Sequence, residues 1–196
     1  MKIGILALQG AVQPHAEKLI ALGVQVIEVR FTRDLIDLKG IILPGGESSS
    51  MIHLLKLNQL WEPLKEYVRT RPTWGVCAGS ILLAKTVTHP IQASLEAMDI
   101  EVERNAYGRQ NESFIGSLTP SMHWKADQPF EGVFIRAPRI KRVNIDVQVI
   151  FEFKGEPVMV RQKHLLASTF HPELTDSTQV HEFFLDTILI PEFSCN

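Results

Sequence analysis

The stretch "PTWGVCAGS", residues 72 to 80, joins a short apolar strand to an apolar helix and places Cys77 between two glycines. A cysteine buried for its hydrophobicity does not need such neighbours, because a buried thiol packs as a small apolar group. The glycines instead predict a sharp backbone turn between a strand at 73–76 and a helix formed by "SILLAKTV", residues 80–87. A strand that turns directly into a helix is the repeating element of α/β folds.

The segment from Gly75 to Gly79 also has the G-x-nucleophile-x-G form of a nucleophile elbow. In such an elbow Cys77 lies at a helix N-terminus, where the helix dipole favours the reactive thiolate. The amide of Ala78 then points toward the space of a substrate oxygen. The alternative interpretation is that the glycines only allow a strand and a helix to pack closely.

The late segment "FHPEL", residues 170–174, supplies the groups that a catalytic cysteine requires. A nucleophilic cysteine needs a base, and the base needs a third group to orient it. In an extended segment residues i and i+2 face the same side, so we expect His171 and Glu173 to lie together. Pro172 restricts His171 to the extended region. Alternatively, the segment merely ends a strand.

A third segment, "ILPGGESSS" (42–50), places two glycines after a buried strand and serines before a helix. A loop of this kind exposes backbone N–H groups, and Gly46 is suited to complete an oxyanion hole with the amide of Ala78. A tight turn with a serine N-cap is the alternative. The loop is only weakly similar to a phosphate-binding loop, because the lysine of that motif is absent.

The first half of the chain alternates between apolar strands and helix-period segments. Predicted strands are 2–8, 24–30, 40–44 and 73–76, and predicted helices before the 80–87 helix are 12–23, 48–57 and 61–70. This order predicts a mostly parallel central sheet with helices on both faces. The second half is β-rich and closes with a helix at 176–189; its predicted strands are 98–104, 113–118, 132–137, 147–153, 157–162 and 165–170. We expect one three-layer α/β domain over 1–196, with the notable segments at the carboxyl ends of strands, where such sheets bind ligands.

Composition excludes several classes of protein. The 196 residues carry a formal net charge of −2 and no basic run, which argues against nucleic acid and anionic membranes as partners. No apolar run reaches the roughly 20 residues that span a bilayer, and the N-terminus does not have the form of a signal peptide. The two cysteines, Cys77 and Cys195, do not form a disulfide framework, and Cys195 is interpreted as tail. We therefore expect a cytoplasmic protein.

Together, the cysteine elbow, the "PGGES" loop and the late "HPE" resemble the class I, triad-type glutamine amidotransferases, whose fold is flavodoxin-like. Within that class the chain is similar, over essentially its whole length, to the glutaminase subunits of pyridoxal 5'-phosphate synthase. The segments that carry this resemblance are "LALQGAVQPH", "ILPGGESSSM", "VCAGSILLAK", "VERNAYGRQNESF", "GVFIRAP" and "FHPELT". Departures from the family pattern are few: Val76 and Ser80 flank the elbow where Thr and Leu are common.

The resemblance implies roles for individual residues. Cys77 matches the nucleophile, His171 the general base and acid, and Glu173 the residue that orients it. The implied glutamine-binding residues are Gly46, Glu47, Ser48, Arg104, Ile135 and Arg136. Gln9 and Gly10 match a segment at the rim of the site that the family couples to docking of the synthase. His15, which packs or caps a helix more often than it does chemistry, is not assigned a role.

The resemblance also implies the reaction and the partner. The substrate is L-glutamine, and the ammonia passes to a (β/α)8 synthase subunit that makes pyridoxal 5'-phosphate. No cofactor or metal is expected, because the histidines show no ligand spacing. Three alternatives stay open: a cysteine-based chaperone or redox sensor, a regulatory subunit without catalysis, and the amidotransferase subunit of histidine biosynthesis.

Overall fold

The computed structural model of the chain describes residues 1–104, 113–124 and 130–189. The helices in these ranges are α1 Val12–Ala21, α2 Ser48–Leu57, α3 Trp61–Thr70, α4 Ala78–Leu83 and α5 Gln179–Leu189. The strands are β1 Lys2–Leu6, β2 Gln25–Val29, β3 Gly40–Leu43, β4 Thr73–Val76, β5 Ala84–Thr88, β6 Met98–Glu103, β7 Ser113–Pro120, β8 Phe130–Ile135, β9 Arg139–Val143, β10 Gln148–Phe153, β11 Glu156–Gln162 and β12 Leu165–Ser168. Two short 3-10 turns cover Thr32–Leu35 and Pro172–Leu174.

Nine strands form the central sheet in the order β2-β1-β3-β4-β12-β11-β10-β7-β8. The first five run parallel, as the βαβα order of the sequence predicts. The remaining four are antiparallel and come from the β-rich second half, which extends the same sheet. The α/β fold class is confirmed, with a sheet that is parallel on one side and antiparallel on the other.

Helices cover both faces of the parallel half, because its strands alternate side chains between two apolar cores. Ile5 of β1 packs in one core with Leu19 of α1 and Phe184 of α5. Leu6, the next residue, packs in the other core with Leu55 of α2. Helices α1 and α5 therefore share one face of the sheet, while α2, α3 and α4 share the other.

The helix predicted at 80–87 is wrong in its second half. Helix α4 begins earlier, at Ala78, and ends at Leu83, after which Ala84–Thr88 forms β5. In β5 the side chains of Ala84 and Val87 are buried where the strand pairs with β6, in a separate sheet of order β5-β6-β9. Pairing with a distant strand overrides the helical spacing of this segment, whose β-branched residues suit a strand. Strand β9 was not predicted.

The topology brings four segments to one edge of the sheet. Strands β1, β3, β4 and β12 are parallel neighbours, so their carboxyl ends lie side by side. The segments that follow them contain Gln9, Gly46, Cys77 and His171 respectively. The predicted site residues therefore meet at the edge where ligands bind in such sheets.

Candidate active site

Cys77 occupies the turn between β4 and α4 in a strained backbone conformation. Its φ of 50° and ψ of −105° lie where residues with a Cβ are rarely found. Its N–H donates to the carbonyl of Ser168 in β12 (2.8 Å), which ties the turn to the neighbouring strand. The side chain is buried and the thiol is free. This geometry is that of a nucleophile elbow.

Gly75 and Gly79 are required because other backbone atoms approach them closely, and not because either has a positive φ. A Cβ on Gly79 would lie 2.0 Å from the carbonyl oxygen of Leu43, and a Cβ on Gly75 would lie 2.4 Å from that of Gly79. Neither position has room for a methyl group. The two alternatives for this segment are therefore compatible: the strand and helix pack closely, and the packing forces Cys77 into the strained turn.

His171 and Glu173 lie together after β12, as predicted, but the reason given for it is wrong. His171 Nδ1 is 2.7 Å from Glu173 Oε1, and the Glu173 side chain is fully buried. Pro172–Leu174 is a 3-10 turn and not an extended segment, so the two side chains meet across a tight turn. The N–H of His171 also donates to the carbonyl of Val133 in β8 (2.7 Å). His171 is thus held by its backbone at β8 and by its side chain at Glu173.

Gly45, which the sequence argument passed over, lies against both Cys77 and His171. A Cβ on Gly45 would be 2.4 Å from His171 Cε1 and 3.4 Å from the Cβ of Cys77. The imidazole and the cysteine therefore face the same few ångströms of space beside this glycine. His171 Nε2 is buried and has no hydrogen-bond partner in the described part of the chain, so it is available for proton transfer.

The charges of the three groups are coupled. Burial disfavours a charged His171, but contact with the Cys77 sulfur and with Glu173 outweighs it and raises the pKa of His171 to about 10. Burial would raise the pKa of Glu173, but the hydrogen bond from His171 and the charges of His15 and His171 keep it below its usual value. The arrangement favours an imidazolium at His171, between the Glu173 carboxylate and the Cys77 side chain.

The loop after β3 is held by the segment after β1. Gln9 Oε1 accepts a hydrogen bond from the N–H of Glu47 (2.9 Å). A Cβ added to Gly46 would lie 2.6 Å from the same oxygen. Gly10, with φ of 107°, approaches the carbonyl oxygen of Gly45 so closely that no side chain fits. Gln9 and Gly10 thus contact the loop directly. Within the loop, Gly45 lies beside His171 and Gly46 does not.

Glu47 and Arg104 form one connected group at the start of α2, and Ser48 lies beside it. Glu47 is the N-cap, because its carboxylate accepts from the N–H groups of Ser49 and Ser50, so a serine N-cap is wrong. Arg104 contacts both Glu47 Oε1 (3.3 Å) and Ser49 Oγ (3.1 Å). The buried Ser48 hydroxyl donates to Gln92 (3.0 Å).

The pair Ile135 and Arg136 follows β8 at the same edge. The carbonyl oxygen of Ile135 is 3.8 Å from Cys77 Sγ. Arg136 has a φ of 45° and an exposed side chain. Most of the "ERNAYGRQ" segment that contributed to the resemblance falls at 105–110, outside the described residues, and so does Cys195.

Two buried histidines were not predicted as part of the site. His15 Nε2 is 3.5 Å from Glu173 Oε2, and His15 Nδ1 is 2.9 Å from His181 Nε2. The sequence assigns no role to His15, and no local signal identifies His181. Their proximity depends on α1 and α5 sharing one face of the sheet.

Within 1–104, 113–124 and 130–189, no three His, Cys, Asp or Glu side chains are grouped so as to hold a metal ion. Among the helices in those ranges, none combines the length and apolarity needed to cross a bilayer.

Comparison with known proteins relates this geometry to a family. The model of the SNO glutamine amidotransferase family matches residues 5–190. A pyridoxal 5'-phosphate synthase subunit PdxT from Solibacter usitatus is 45% identical over 95% of this chain and 99% of its own length. The PdxT of Koribacter versatilis is 48% identical over 96% of each chain.

Solved structures agree with these matches. A crystal structure of a glutamine amidotransferase is 40% identical, with a TM-score of 0.87 over 96% of this chain and 99% of that one. A putative GMP synthase subunit from Thermoplasma acidophilum, 17% identical with a TM-score of 0.68, covers 96% of this chain and 94% of its own, and shows the shared fold alone. By sequence and by fold, this chain belongs to the SNO glutamine amidotransferase family.

Proposed function

We propose that this chain hydrolyses L-glutamine to L-glutamate and ammonia and delivers the ammonia to a (β/α)8 synthase subunit that makes pyridoxal 5'-phosphate. Membership of the SNO glutamine amidotransferase family supports the reaction, and the name of the PdxT relatives supports the synthase partner. The observation that carries the proposal is the buried His171–Glu173 pair, 2.7 Å apart, beside a strained and buried Cys77.

In the first half of the reaction the Cys77 thiolate attacks the side-chain amide carbon of glutamine. The carbonyl oxygen becomes an oxyanion, for which the amides of Gly46 and Ala78 are the proposed donors; one such donor contributes roughly 10² to 10³ in rate. The His171 imidazolium gives its Nε2 proton to the amide nitrogen, and the C–N bond breaks. Ammonia leaves, and a γ-glutamyl thioester remains on Cys77.

In the second half a water molecule attacks the thioester carbon while neutral His171 takes one of its protons. The C–S bond breaks, the thiolate is restored beside the imidazolium, and glutamate leaves. Throughout, Glu173 accepts from the Nδ1–H of His171, which keeps Nε2 as the nitrogen that exchanges the proton.

The remaining assignments belong to the same proposal. Glu47, Ser48, Arg104, Ile135 and Arg136 are the proposed contacts of glutamine. Gln9 and Gly10 are proposed to couple docking of the synthase to the loop, since Gln9 holds the N–H of Glu47. A free Cys77 requires reducing conditions, which favours the cytoplasm.

Glutamate release from the purified chain, measured with and without the cognate synthase, tests this function. We expect weak turnover alone and strong turnover in the complex. The variant C77A should be inactive in both, whereas C195A should behave as wild type. Full activity of the isolated chain would contradict the role of docking, and no activity in the complex would contradict the glutaminase assignment.

A further inference from the structure

A buried row of ionisable side chains extends away from Cys77 beyond Glu173. Glu173 Oε1 contacts His171, and its second oxygen, Oε2, lies 3.5 Å from His15 Nε2. His15 Nδ1 is in turn 2.9 Å from His181 Nε2. The side chains of His15 and Glu173 have no solvent exposure, and His181 is equally buried. Burying three such groups is costly unless each has a partner, so their contact requires an explanation.

Trp74 fixes the orientation of the two added histidines. Its ring makes edge contacts with His15 (centroids 5.5 Å apart, planes at 81°) and with His181 (5.0 Å, 77°). Its own Nε1–H donates to Ser168 Oγ (3.1 Å). Trp74 belongs to β4, the strand that leads into Cys77, so the histidines are held against the same strand as the elbow.

Both histidines are neutral at physiological pH. Burial lowers the pKa of His15 to about 4. The charge of Glu173 opposes this shift, and the charge of His171 adds to it. Burial also lowers the pKa of His181 to about 3, aided by the charges of His15 and Lys18. Each imidazole ring therefore carries one N–H proton. One of these two protons forms the hydrogen bond between the rings.

Two arrangements of these protons exist, and the carboxylate selects one. If His15 donated from Nδ1, its Nε2 lone pair would face the Oε2 of Glu173 in a buried site, and the two would repel. If His181 donates from Nε2, His15 keeps its proton on Nε2 and directs it at the carboxylate. Neither His15 Nε2 nor Glu173 Oε2 has a hydrogen-bond partner in the described part of the chain, and the two atoms lie 3.5 Å apart. The second arrangement places an N–H donor opposite this carboxylate oxygen.

We propose that His15 is a positioning residue for the glutaminase reaction: its Nε2–H holds the second carboxylate oxygen of Glu173, and His181 fixes the tautomer of His15. This inference rests on the proposed function. Glu173 is then anchored from both sides, by His171 on one oxygen and by His15 on the other. Without His15, Oε2 is a buried acceptor without a donor, and the carboxylate is free to turn away from His171 or to take up a proton.

The variants His15→Leu and His15→Gln separate positioning from packing. Leucine removes the donor, whereas the glutamine amide can place an N–H near the position of Nε2. With the synthase present, we expect H15L to lower kcat about 10- to 100-fold with little change in KM, by analogy with other groups that orient a reacting residue. H15Q should recover most of the loss. H53L, a change of an exposed histidine on α2, is the matched control.

The pH profile and the tautomer give readouts that a purely structural role would not move. The groups that face this row are Cys77, His171, Glu173, His181 and Lys18. Loss of the His15 donor should raise the pKa of Glu173 and move the acid limb of kcat/KM to higher pH in H15L. In wild type, ¹⁵N NMR of the imidazoles should find His15 protonated on Nε2, and in H181L that preference should weaken.

Wild-type kcat and an unmoved acid limb in H15L, or a proton on Nδ1 of His15, would overturn the proposal. Circular dichroism and a thermal melt establish whether H15L is folded. If it is not, H15Q and the wild-type NMR measurement decide the matter. The tautomer does not depend on turnover, so failure of the glutaminase assay in wild type contradicts the proposed function and leaves the assignment of the His15 proton separately measurable.

Discussion

The hydroxyl of Ser80 donates a hydrogen bond to the carbonyl oxygen of Cys77 at 2.6 Å. Ser80 is completely buried, and its N–H donates to the same carbonyl (3.0 Å). The sequence alone does not indicate what a serine does at this position. The contact is with the backbone of the elbow and not with the thiol, so Ser80 stabilises the turn that carries Cys77.

Replacing Ser80 by alanine should therefore affect stability more than catalysis. Loss of one buried hydrogen bond costs about 1 kcal/mol of unfolding free energy. We expect S80A to show that loss in urea unfolding while kcat in the complex stays within a few-fold of wild type. A kcat reduced 100-fold at unchanged stability would mean that Ser80 acts on the sulfur.

The strain at Cys77 predicts an unusual order of stability for two inactive variants. With φ of 50° and ψ of −105°, any residue with a Cβ is strained by about 1 to 3 kcal/mol, while glycine is not. Glycine loses more conformational entropy than alanine on folding, which offsets part of the relieved strain. C77G should still be more stable than C77A by about 1 kcal/mol. Chemical unfolding of the two proteins measures this directly. If C77A is the more stable, the elbow is not strained.

Gly45 and Gly46 should respond differently to a single methyl group. A Cβ on Gly45 meets His171 Cε1 at 2.4 Å, so G45A must displace the imidazole. A Cβ on Gly46 meets the end of the flexible Gln9 side chain at 2.6 Å, which can move. Because misplacing a catalytic group by about 1 Å costs roughly 10² in rate, kcat should fall far more in G45A than in G46A. Steady-state glutaminase kinetics in the complex compare them, and equal losses would contradict the close approach of Gly45 to His171.

The buried histidines predict how stability depends on pH. The pKa values of His15 and His181 are lowered from 6.5 to about 4 and about 3, so below pH 6.5 the unfolded chain takes up protons that the folded chain does not. Unfolding free energy should therefore fall as pH decreases from about 6.5 to 4, by up to about 1.4 kcal/mol per pH unit for each histidine. Urea unfolding across this range should give H181Q a slope about half that of wild type. An unchanged slope would mean that His181 titrates normally in the folded protein.

Much of the fold could be predicted from the sequence because its signals are local. The helices at 48–57 and 61–70 have the bounds that their apolar spacing predicts, since each packs one face on the sheet. The segment after Leu83 could not be predicted, because the partners of β5 are more than ten residues away and local spacing suits a helix. Pairing between distant strands decides such segments.

The candidate site divides in the same way. Cys77, His171 and Glu173 stand in short motifs whose chemistry can be interpreted locally, although the 3-10 turn between the last two was not foreseen. Gly45 was passed over because its role depends on contact with a segment far along the chain. His15 and His181 are 166 residues apart, on two helices that the fold places on the same face of the sheet, and nothing near either residue indicates the contact.

The central claim is that Cys77 is the nucleophile that attacks the glutamine side chain. The most direct test is mass spectrometry of the chain, in complex with the synthase, after incubation with an electrophilic ketone analogue of glutamine. We predict one adduct, located on Cys77 by peptide mapping, prevented by excess L-glutamine and absent from C77A. An adduct of unchanged yield in C77A, or one located on another residue, would contradict the account.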